Sequence, residues 1–127
     1  MAARIAPASQ IDAESSVLTK ATLRAADMLE ITAKVLSSVI GVSEATVSRM
    51  RRHEFLLERG SKPFELAVLF VRLFRSLDAI AGGDADVARA WLRNANTALG
   101  ERPLEKILTI AGLIDVIAYL DSRRALV

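Results

Sequence analysis

No cysteine occurs in the 127-residue sequence, and histidine occurs once. Disulfide frameworks, thiol nucleophiles, thiolate zinc sites and iron–sulfur clusters are thereby excluded, and a lone histidine cannot build a multi-histidine metal site. Charge of one sign is also scarce. Seventeen Lys and Arg stand against fifteen Asp and Glu, a formal net charge of +2, too small to establish an affinity for polyanions by itself, so the distribution of the basic residues must decide. The longest apolar run, Leu66 to Val71, falls far short of the roughly 18 to 20 residues that span a bilayer. The N-terminus carries Arg4 but no apolar stretch of secretory type, and a soluble, cytoplasmic chain is expected. No paired carboxylates stand beside a base and no glycine-rich loop suits a phosphate, so no catalytic residue, metal ligand or cofactor is assigned and an enzyme is not expected.

Aromatics make up only 5% of the chain, and six Gly and three Pro fall at a few places, whereas hydrophobic residues reach 52%. That composition predicts an all-α fold. Residues 1–10 read as a frayed arm. A helix is expected near residues 12 to 29, with Ile11, Val17, Leu18, Leu23, Met28 and Leu29 as its apolar side. A second places Val35, Leu36, Val39 and Ile40 at helical spacing and ends at Gly41. Ser43 then serves as N-cap for a third that runs through His53. Gly60, Ser61, Lys62 and Pro63 punctuate the middle of the chain and divide it into two parts, 1–62 and 63–127.

The helix from Pro63 to about Ala81 is apolar almost all round, with a polar strip through Glu65, Arg72, Arg75 and Ser76, and needs several neighbours to bury it. Gly82 and Gly83 stop it. Asp84 caps a helix with Val87, Ala88, Trp91 and Leu92 on its apolar face, and a polar turn around Gly100 follows. Pro103 opens the next helix, Gly112 is a place for a kink or break, and Leu113 to Leu120 reads as helix because no second β-rich run exists for a strand to pair with.

The stretch from Lys34 to Arg52 has the parts of a helix-turn-helix. Leu36 and Ile40 face the core from its first helix, small Ser37 permits close approach, Gly41 turns the chain, Val42 plugs the turn, and Val47 and Met50 anchor the second helix. The opposite face then presents Glu44, Ala45, Thr46, Ser48, Arg49 and Arg52 to the groove of a DNA duplex. Arg49 can donate two hydrogen bonds to guanine, Thr46 or Ser48 can reach base or phosphate, and the helix N-terminus at Ser43 favours a phosphate. Arg51, Arg52 and Lys62 would add contacts that carry affinity without sequence information. A lone His53 beside arginines is more often a neutral surface residue, and no chemistry is assigned to it.

The turn motif VLSSVIGVSEATVSRMRR, followed by WLRNANTALGERPLEKILTIAGLIDVIAYLDSRR, resembles the Xre/MbcA/ParS-type antitoxins. The ordered features are Trp91, Leu92, Asn96, Leu99, Gly100, Arg102, Pro103, Leu104 and Gly112; the sequence departs from the family pattern at Glu101, where a second turn glycine is usual, and at Ala95, where a proline is common. The resemblance implies a helix-turn-helix domain followed by a small helical toxin-binding and dimerisation domain. It further implies a partner toxin of the RES-domain type, an NAD-consuming enzyme whose active site the antitoxin obstructs while its DNA-binding half represses the shared promoter at an operator.

For the toxin contact, the terminal residues Asp121, Ser122, Arg123, Arg124, Leu126 and Val127 are the candidates, because arginine suits carboxylates and phosphates in a cofactor cleft. Removing 121–127 is expected to impair neutralisation more than folding. A homodimer within a toxin–antitoxin hetero-oligomer is expected, since two-fold symmetry sets two recognition helices on successive turns of an inverted repeat. The 64–80 helix is a candidate for that interface as well as for the monomer core. The competing reading is a stand-alone helix-turn-helix regulator whose C-terminal half only dimerises.

Overall fold

A computed structural model describes residues 8–124, with side chains from residue 13. Among these residues the chain forms seven helices and no strand: α1 (Ala8–Met28), α2 (Ala33–Ile40), α3 (Glu44–Arg51), α4 (Lys62–Ile80), α5 (Ala85–Arg93), α6 (Pro103–Lys106) and α7 (Ile110–Arg124). The expected all-α fold is therefore observed. Residues 8–10, expected in a frayed arm, already belong to α1, while Leu126 and Val127 lie outside the described residues.

Local chemistry sets the helix boundaries. Thr32, Ser43, Ser61 and Asp84 each accept a backbone N–H from the first turn of the helix that follows, satisfying donors that have no partner inside the helix. At the other ends the chain reverses through left-handed residues. Gly41 does so after α2 at φ 74°, but Glu30 after α1 and His53 after α3 adopt φ of 54° and 61° without being glycine. His53 N–H bonds to Met50 O and Glu54 N–H to Arg49 O, the paired pattern that closes a helix around a left-handed residue. Hence α3 stops at Arg51 rather than running through His53.

The longest-buried element is α4, which packs against α1, α2, α5 and α7. Phe70, Leu73 and Leu77 on α4 are wholly or almost wholly buried, joined in the core by Leu29, Leu36, Ile40, Met50, Leu92, Leu113 and Leu120. At roughly 1.5 to 3 kcal/mol for each large side chain removed from water, this continuous core is the main stabilising term. The polar strip expected on α4 is only partly a strip: Glu65, Arg72 and Arg75 are exposed, whereas Ser76 is buried. Val87 departs in the opposite sense and is exposed, because α5 buries only Ala88 and Leu92 and half-buries Trp91. Val17 likewise stands 67% exposed on α1.

Gly112 does not break a helix. The break falls at 107–109, and Gly112 sits buried in the first turn of α7, its N–H bonded to Thr109 Oγ1 at 3.0 Å. Its missing side chain allows α7 to approach the end of α6.

Candidate functional site

The second helix of the turn motif is held from beneath. Val47 is fully buried and Met50 nearly so, and the face they anchor packs with α2 and the core. That anchoring turns Glu44, Ala45, Ser48, Arg51 and Arg52 outward, with Arg49 half-buried at the edge. The arrangement expected from sequence departs at Thr46, which is 8% exposed. Thr46 is one position before Val47 and one turn before Met50, so it falls on the inner side of α3 and cannot reach a base as an open hydroxyl.

Thr46 instead organises its neighbours. Ser43 Oγ accepts from Thr46 N–H at 3.0 Å and donates to Thr46 Oγ1 at 3.0 Å, while Arg49 Nη2 donates to the same Thr46 oxygen at 2.8 Å. A residue expected to touch DNA is thus bonded to another of the candidates, Arg49. The other two arginines are matched to carboxylates: Arg51 lies 2.9 Å from Asp27 and Arg52 3.0 Å from Glu54. Exposed pairs of this type are worth at most about 1 kcal/mol, so a phosphate can displace them at small cost. Arg49, by contrast, has a neutral partner in the Thr46 hydroxyl.

The C-terminal candidates are brought together in part. Asp121, Ser122, Arg123 and Arg124 form the last turn of α7, not a free tail. Arg72 pairs with Asp121, Ser76 Oγ donates to Asp121 Oδ1 at 3.0 Å, and Arg124 Nη1 donates to Ser76 Oγ at 3.1 Å. Arg123 lies over the Tyr119 ring, which in turn stacks on Trp91. Ser122 donates to the Tyr119 carbonyl. Asp121 and Arg124 thus fasten α7 to α4, and deletion from residue 121 would remove structural contacts as well as any docking surface. Sequence reading missed this because nothing local to Ser76 announces a partner 45 residues away.

Partial burial pushes the Asp121 carboxyl up, but hydrogen bonds from Ser76 and Arg72 and the charges of Arg72 and Arg124 outweigh it, so its pKa lies below the usual carboxylate value. The stabilisation it confers is complete above the unfolded value of about 3.9 and is lost as pH falls through the lower, folded value. Asp121→Asn is expected to lower stability at about pH 6, with a smaller gap to wild type at about pH 2. Urea midpoints at both pH values check this; a gap that persists unchanged into acid would contradict it.

The same residues border a groove of about 780 Å³ whose walls include Val17 and Leu18 of α1 and Phe64, Val68 and Val71 of α4, with Arg72, Arg75, Asp121 and Arg124 along one side. Among the described residues there is no grouping of three or more acids and histidine able to hold a metal, and no helix long and apolar enough to cross a membrane.

The fold and this face define a helix-turn-helix protein joined through α4 to a second helical unit. Residues 12–72 match the family model of the antitoxin Xre-like helix-turn-helix domain, and residues 76–125 match that of the antitoxin Xre/MbcA/ParS C-terminal toxin-binding domain. No curated protein matches the chain. With both domains present in order over nearly its whole length, the chain belongs to the Xre/MbcA/ParS antitoxins, type II antitoxins that combine a DNA-binding and a toxin-binding domain.

Proposed function

We propose that this antitoxin neutralises an RES-domain, NAD-degrading toxin and represses its own operon as a homodimer in the cytoplasm, with residues 1–62 reading operator DNA and 63–127 engaging the toxin. The observation that carries the proposal is the anchored second helix of the turn motif, Val47 inward, Glu44, Ser48 and Arg52 outward and Arg49 half-buried at the edge between them, followed in the same chain by a toxin-binding domain. The wholly core-facing use of Phe70, Leu73 and Leu77 assigns most of α4 to the monomer. Two copies would set their α3 helices about 34 Å apart, on successive turns of one face of the duplex.

Co-expression with the toxin is expected to restore growth and cellular NAD; failure of both would reject the RES assignment. For DNA, Arg49→Ala is expected to relax preference at one base position by about 1 to 3 kcal/mol, whereas Arg52→Ala weakens all sequences and reduces the salt slope by about one unit. Titrations of operator and single-base variants at several salt concentrations separate the two. Unchanged binding by both variants would place the DNA surface elsewhere.

A further inference from the structure

The toxin-binding domain carries an exposed apolar surface that its own fold does not use. On α7, Leu113, Val116, Ile117 and Leu120 are buried, fixing which side of the helix faces the core. Ile110 and Ile114 lie one turn apart and remain 53% and 50% exposed, with Ala118 exposed a further turn along. Leu108, two residues before the helix, is 41% exposed. Such spacing places Ile110, Ile114 and Ala118 along one stripe. Three of the large apolar side chains that the described residues leave in water thus fall within seven positions of one another.

The stripe is edged by charge that is already matched. Asp115 lies 3.5 Å from Lys106, and Glu105 lies 3.7 Å from Arg102. An apolar centre with a polar, internally paired rim is the anatomy of a protein-binding patch, not of a surface evolved for water or for a polyanion. The last turn of α7 offers less: Asp121 and Arg124 are drawn onto Ser76, and Arg123 onto Tyr119.

We propose that Ile110 and Ile114, flanked by Leu108, form the central contact with the toxin, inserting into an apolar depression on it, while the end of α7 serves mainly to hold that helix on α4. The proposal rests on the antitoxin reading and locates its interface: the stripe lies wholly within the segment matched as toxin-binding, and the outward face of α7 continues that assigned function where the inward face is taken by the core. A second copy of the chain is the competing occupant.

The test uses the full-length chain and a cognate RES-domain toxin, catalytically inactivated to allow titration. Ile110→Asp combined with Ile114→Asp is expected to raise the toxin Kd by roughly 30-fold or more, leaving operator binding and the mass of the free antitoxin as in wild type. Ile110→Val with Ile114→Val should retain binding within a fewfold, and Leu108→Asp alone should give an intermediate loss. Toxin binding by the double aspartate variant within threefold of wild type would overturn the proposal, as would a change of antitoxin self-association with toxin affinity intact. A double aspartate variant that loses operator binding as well, with Leu108→Asp neutral toward toxin, would also overturn it. Wild-type chain that captures no toxin rejects the antitoxin–toxin pairing itself, and the stripe with it, and is distinguished from the other failures by occurring before any substitution.

Discussion

Gly112→Ala is expected to destabilise the protein by about 3 to 5 kcal/mol, although alanine ordinarily stabilises a helix by about 1 kcal/mol over glycine. The sign reverses because of what surrounds this position. A Cβ built on Gly112 would meet the Lys106 carbonyl oxygen at 1.8 Å, its carbon at 2.8 Å and Thr109 Oγ1 at 3.0 Å. The first two are backbone atoms at the end of α6, so no rotamer change relieves the clash. Relief requires α6 and α7 to separate, which loosens Ile107 and Leu113, 1% and 0% exposed. Thermal melts should show Tm lowered by roughly 10 °C or more. Gly100→Ala supplies the contrast: φ there is 82° but nothing lies within 4 Å of the added carbon, so only the left-handed penalty of about 1 to 2 kcal/mol applies. A Gly112→Ala protein as stable as wild type would mean that α6 and α7 are not in the contact described.

The helix order was readable from sequence because apolar spacing and caps act locally. Ser43, Pro63, Asp84 and Gly41 mark boundaries within a few residues of themselves, and the structure places a helix start or stop at each. What escaped was of two physical kinds. Glu30 and His53 close helices in the left-handed region, where glycine is the usual signal and a charged or imidazole side chain gives none. Ser76, Asp121 and Arg124 form a cluster whose members are distant in sequence, so Ser76 read as one more polar residue on a solvent strip and Asp121 as part of a tail.

The burial pattern of α3 was legible for the same local reason except at Thr46, which is buried, with Arg49 half-buried beside it. Helical periodicity buries Val47 and Met50 as the structure does, but it assigns Thr46 to the opposite face, although Thr46 adjoins Val47 and lies one turn before Met50. The hydroxyl at this position accepts from the capping Ser43 hydroxyl and from Arg49, so it can be buried without an unsatisfied polar atom. Polarity alone does not put a short side chain on the surface when its hydrogen bonds are available inside.

Arg93→Ala is the other substitution expected to have a large effect, about 2 to 3 kcal/mol, although Arg93 is not among the residues proposed to contact DNA or toxin. From α5 its Nη2 donates to Leu29 O at 3.0 Å and Glu30 O at 2.8 Å, and its Nη1 to Arg89 O at 3.1 Å; Arg89 Nη1 in turn reaches Met28 O at 2.8 Å. The end of α1 leaves carbonyls without helical partners, and a cation there also meets the negative end of the helix dipole. Two guanidinium groups of the toxin-binding domain therefore close the helix that leads, through Glu30 and Ile31, to the Thr32 cap of the DNA-binding motif. Arg93→Lys should recover less than half of the loss, because an ammonium lacks the planar fork that serves two carbonyls at once. Arg89→Ala should cost less than Arg93→Ala, since its remaining partners Asp86 and Glu30 are exposed carboxylates. If the bond set works as a bolt between the two halves, amides of residues 29–36 in Arg93→Ala exchange with solvent faster than those of α7, ahead of global unfolding. Equal melting of variant and wild type, with no acceleration in that segment, would show that burial alone holds the halves together.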